Sequence, residues 1–165
     1  MLFRPTAKLL KLIGKPWSTQ LVEAPPSDDD WYGNLLWLDG RKSVLLTHAA
    51  TLFSIFVPDI AVADLRPPGQ FLVSRIEEAL ATEGLPPWTF GQLDPDTVRL
   101  AKTADRVVLV CMNDMASMAE NVIVSDGGLG DCDFGELHRI LRRNVNSSRN
   151  YVRPIDAVRA RLTVG

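Results

Sequence analysis

Asp39-Gly40 stands between two apolar runs, Leu35-Leu36-Trp37-Leu38 and Val44-Leu45-Leu46, and no other feature of this chain limits its fold as tightly. A two-residue hairpin of type I′ needs positive φ at both central positions, and Asp-Gly adopts that conformation at little cost. A second connection at His48-Ala49-Ala50 leads into Leu52-Phe53-Ser54-Ile55-Phe56-Val57, and Pro58, which has no amide hydrogen, ends that run. Residues 34–59 therefore predict a three-stranded antiparallel meander that the rest of the chain must cover.

The segments around it supply the cover. At the start, Leu2-Phe3 reads as a short edge strand, followed by an amphipathic turn and a half that carries Leu9, Leu10 and Ile13 inward. Residues 18–33 combine a Pro pair, the triplet Asp28-Asp29-Asp30 and small polar residues, a composition that predicts a mobile surface loop with solvated charges. Leu72, Ile76, Ala79 and Leu80 share one face of a helix that ends at Gly84. Glu83 falls next on that face, so burial is expected to stop before the last turn. Trp88 and Phe90 are expected to plug into the core, and Thr97 to Thr103 alternates like one more strand.

Val107 to Val110 is β-branched enough for a strand, but the longer window favours a helix. Val108, Cys111, Met112, Met115, Met118, Ala119 and Val122 recur at spacings of three and four, with Asp105 as cap and Gly127-Gly128 as stop. Its opposite face carries Val110, Asn113, Asp114, Ser117 and Asn121. The glycine-rich residues 126–133 read as a connection, because their flanking aspartates repel anions. Asp133 with Glu136 resembles a capping box opening a helix that turns Phe134, Leu137, Ile140 and Leu141 inward and His138, Arg139, Arg142 and Arg143 outward. After a polar linker, Pro154 opens a last helix with Ile155, Val158 and Leu162 on one face. The expectation is a single α+β domain spanning residues 1–165, an antiparallel meander sheet covered by about four helices.

Short patterns along most of the chain add a resemblance. Lys8-Leu9-Leu10, Asn34-Leu35-Leu36, Arg41-Lys42, Thr51-Leu52-Phe53-Ser54, Lys102-Thr103 with Arg106, Met112-Asn113-Asp114 and Pro154-Ile155 resemble a family of small, mostly bacterial, uncharacterised proteins, a domain-of-unknown-function family. Val110-Cys111 depart from the smaller residues expected ahead of the triplet. The resemblance implies one whole-length α+β domain and brings no catalytic residue, cofactor or substrate.

A length of 165 residues is enough for a core without metal or disulfide support, and a net charge of −2 argues against general polyanion binding. Two cysteines, Cys111 and Cys132, suit a reducing cytoplasm. The apolar core of the basic N-terminal segment is broken by Lys8 and Lys11, and no stretch reads as a membrane span, so a cytoplasmic protein without membrane contact is expected.

Chemistry is sparse. His48, Cys111, Cys132 and His138 have zinc-ligand types without the short paired spacings such sites use, so no metal or other cofactor is expected. A nucleophilic Cys111 would lie on a buried stripe, where a thiol is inert. The weak catalytic candidates are Asn113, Asp114 and His48, which would serve a small hydrolase or nuclease if the fold gathered them in one cleft. The stronger feature is charge: from His138 onward there are seven arginines and one carboxylate, Asp156. Arginine suits bidentate contact with carboxylate or phosphate. Arg139, Arg142, Arg143, Arg149 and Arg153 thus predict an interaction module that is not an enzyme and binds an acidic protein partner or nucleic acid.

Overall fold

The computed structural model describes residues 1–145 and 151–164; Arg149 and most of the expected polar linker lie outside them. The expected meander forms, but its first strand starts earlier than expected and takes buried Trp31, Tyr32 and Gly33 from the segment read as a mobile loop. Strand β2 (Trp31–Leu38) pairs antiparallel with β3 (Arg41–His48), and β3 with β4 (Ser54–Val57). Asp39 and Gly40 take φ of 53° and 70° at the hairpin.

The sheet is larger and differently built than expected. Strand β1 (Leu2–Pro5) is not at an edge: it lies parallel to both β2 and the short β5 (Arg99–Leu100), giving the order β4-β3-β2-β1-β5. The sheet is therefore mixed. Parallel partners come from distant sequence, so no local turn announces them. The chain is still α+β, with five α-helices among the described residues: α1 (Ala7–Ile13), α2 (Pro68–Glu83), α3 (Arg106–Asp126), α4 (Phe134–Arg143) and α5 (Pro154–Val164).

Strand alternation divides the core in two. Val44 and Leu46 of β3, with Ile55 and Val57 of β4, face α1, α2 and α5, whose Leu9, Ile13, Leu72, Ile76, Ile155 and Val158 complete that layer. Leu45 and Phe56 face the opposite way, onto Val108, Cys111, Met112, Met115 and Ala119 of α3 and Leu137 and Leu141 of α4. The stripe that periodicity marks on α2 is buried, and so is that on α3 at Val108, Cys111, Met112, Met115 and Ala119, whereas Met118 and Val122 are only partly buried and Ile123 is buried instead. Both helices end on left-handed glycines, Gly84 and Gly127, and the Asp105 carboxylate accepts from the amides of Val107 and Val108.

Four details depart from expectation. Trp88 is exposed, and Phe90 alone packs inward, 5.1 Å from the Trp31 ring. The strand expected over Thr97 to Thr103 shortens to Arg99–Leu100. Asp30 is buried, not solvated: its carboxylate takes Arg4 Nε at 2.6 Å, and its backbone oxygen accepts from Ala49 at the β3–β4 turn. Finally, α3 is by length and composition apolar enough to cross a membrane, with a mean hydropathy of 1.5 over a window that holds few charged residues, a property that core helices share. Its apolar stripe is spent on the sheet.

Candidate functional site

The arginine-rich segment runs over α4 and α5, and α4 covers the outer edge of β4. Asp133 fixes the start of α4 by accepting from the Glu136 amide at 3.1 Å. From there, helical spacing places Arg142 toward the sheet, contrary to the expected outward face. Its side chain is 2% exposed, lies 4.5 Å from the Phe53 ring, donates to the Ser54 carbonyl at 3.1 Å and pairs with Glu83 at 3.0 Å. Glu83 therefore continues the buried face of α2 by meeting a cation, where a carboxylate alone would have ended it. Arg143 holds the other oxygen of Glu83 at 2.9 Å. Burial pushes the Glu83 carboxyl up, but hydrogen bonds from Arg143 and Arg142 outweigh it and hold the group below its usual range.

The other described arginines lie further out. Arg139 binds Glu136 through two hydrogen bonds and is well exposed. Arg153 takes Asp156 at 2.6 Å, while Arg159 reaches the same carboxylate only at 3.9 Å. Arg161 pairs with Asp29. Arg143 is within electrostatic reach of both Arg139 and Asp156, so the α4 and α5 arginines form one surface. At Glu83 and again at Asp156, two guanidinium groups share one carboxylate. Glu83 and Arg159 escaped sequence reasoning as members of this surface; the available signal for Glu83 was a carboxylate falling on an apolar stripe.

The trio Asn113, Asp114 and His48 is not gathered. His48 shares the β3 face of Val44 and Leu46, packs 5.3 Å from Trp31 and 4.6 Å from Phe90, and bonds Thr51 through Nδ1 at 3.0 Å. Asp114 belongs to α3 on the other side of the sheet, beside a cavity lined by Leu52 and Met118. Asn113 turns to a different cavity, with Thr6 and Asn34. The hydrolase arrangement therefore fails on geometry. Burial above all lowers the His48 pKa to about 3.

His138 is partly buried and serves the sheet. Its Nε2 accepts from the Phe56 amide at 2.9 Å, which occupies an outward-pointing donor of edge strand β4. Burial, with Arg142 nearby, lowers its pKa to about 4. Cys111 is buried on α3, and burial followed by the Asp126 carboxylate pushes the Cys132 thiol up to about 11. Neither forms a disulfide, and among the described residues no three His, Cys, Asp or Glu side chains converge.

Comparison with curated proteins and with solved structures finds no match. Residues 2–157 match the family described as a domain of unknown function, DUF6933. With nearly the whole chain matched, the protein belongs to the DUF6933 family.

Proposed function

We propose that this protein is a cytoplasmic interaction module, not an enzyme, and that its α4–α5 face docks an acidic protein surface. The observation that carries this reading is the double shortage of carboxylate: Arg142 and Arg143 share Glu83, and Arg153 and Arg159 share Asp156. Each cluster keeps an excess of one positive charge. Arg142 is buried and supports the fold, so the contact surface consists of Arg139, Arg143, Arg153 and Arg159, all at least one-third exposed. Exposed ion pairs between residues three apart are weak and exchange readily, so Glu136 and Asp156 can yield their arginines to a partner's carboxylates.

An acidic protein fits better than nucleic acid. Glu136 and Asp156 lie among these arginines and would repel a continuous phosphate backbone, and the whole chain carries a net charge of −2. A partner with discrete carboxylates tolerates such a mixed pattern.

The test measures anisotropy of a fluorescent poly-glutamate peptide and, separately, of a fluorescent single-stranded RNA. Salt-sensitive binding of the peptide is expected, weakened at least about tenfold by Arg139→Glu with Arg159→Glu while the thermal midpoint stays unchanged. Absent peptide binding, indifference to the double substitution, or tighter binding of the RNA would each overturn the proposal.

A further inference from the structure

Strand β1 sends the chain into α1 on one face of the sheet, while its parallel neighbour β5 leads into α3 on the other. Where adjacent parallel strands send their following helices to opposite faces, a crevice opens outside the carboxyl ends of the strands, and small ligands bind in such places. A cavity of about 400 Å³ opens beyond the carboxyl end of β1, on the α3 side of the sheet and over β2. Thr6, immediately after β1, and Lys8 of α1 form one wall. Asn34 projects from β2, and Leu109, Met112 and Asn113 of α3 close the far side.

The chemistry of the lining is one-sided. Among the described residues, Lys8 is its only charged side chain and no carboxylate lines the cavity. The Thr6 hydroxyl donates to Asn34 Oδ1 at 3.1 Å, which fixes the orientation of that amide and leaves its NH2 as a donor. Asn113, at an exposed position, contributes a second carboxamide. An ammonium and two amide donors, backed by the apolar side chains of Leu109 and Met112, suit an oxyanion carried on a small partly apolar molecule. We propose that this crevice is a binding site for a small molecule bearing a phosphate or carboxylate group, with Lys8, Asn34 and Asn113 as the anion-binding side chains. The site is separate from the arginine face and does not depend on the reading given to that face.

The test follows the side-chain amide resonances of Asn34 and Asn113 by nuclear magnetic resonance during titration with inorganic phosphate, with acetate, and with chloride as a control. Saturable shifts at both amides with phosphate or acetate, absent with chloride, are expected. Lys8→Met and Asn113→Ala, both at exposed positions, should each weaken the response of the Asn34 amide at least about fivefold with unchanged thermal midpoints. Arg139→Glu with Arg159→Glu should leave the titration intact. No saturable shift, an equal response to chloride, or full retention of the response in both site variants would overturn the proposal.

Discussion

Arg142 carries more of the fold than its place in the sequence suggests. It joins α4 to the β4 backbone at Ser54, to the Phe53 ring and to α2 through Glu83. A buried charge left without its partner is strongly destabilising, whereas an exposed pair contributes little. Glu83→Ala should therefore lower the unfolding free energy by about 3–5 kcal/mol. Arg143→Ala, which removes the more exposed of the two cations, should cost less than about 1 kcal/mol. Urea unfolding at neutral pH measures both, and equal losses would show that Arg142 does not depend on Glu83. This contact was illegible in the sequence for a plain reason. The two residues lie 59 positions apart, and helical periodicity puts Arg142 beside Arg139 and His138 on what reads as a polar arc.

At the scale of elements, legibility followed the range of the interactions involved. The Asp39-Gly40 hairpin, the stripes of α2 and α3 and the Asp105 and Asp133 caps are set within a few residues, and each forms where its pattern says. Strand β1 was legible as a strand but not in its position, because pairing with β2 and β5 depends on residues some 28 and 97 positions away. The loops were hardest to read. Trp88 and Asp30 exchanged their expected surroundings because each depends on what neighbouring segments leave open. Of the site residues, the charge of the arginine face was legible, whereas its carboxylate partners and the meeting of Thr6, Asn34 and Asn113 were not. Gly33 marks where β1, α1 and β2 close together. A Cβ there would stand 2.8 Å from the Phe3 ring and 2.9 Å from Leu9. Both neighbours are fully buried, so neither can retreat into solvent. Gly33→Ala should destabilise the protein by about 1–3 kcal/mol or more, and Gly40→Ala should cost less because nothing lies within 4 Å of its Cβ position. The Gly40 cost comes only from its positive φ. Thermal unfolding of the two variants, compared side by side, checks the order.

Across the whole molecule, the two histidines sit in different layers but respond to acid in the same direction. His48 belongs to the aromatic group formed with Trp31 and Phe90, and His138 closes the β4 edge from α4. Burial lowers their pKa values to about 3 and about 4, from 6.5 in the unfolded chain. Between those limits the unfolded chain binds protons that the native protein refuses, so stability is fully present above about pH 6.5 and falls as the pH drops below it. From pH 6.5 to about pH 5 each histidine should remove about 2 kcal/mol. Glu83 adds a loss at lower pH, because its depressed carboxyl stabilises the native state only while ionised. His138→Gln retains an acceptor for the Phe56 amide and removes one titration. The variant should therefore show about half the wild-type slope of unfolding free energy against pH in that window. Urea unfolding across the range reads the slope directly. A wild-type profile that stays flat down to pH 5 would mean that both imidazoles protonate within the native fold, and that neither the aromatic group around His48 nor the His138 bond to β4 holds a neutral ring.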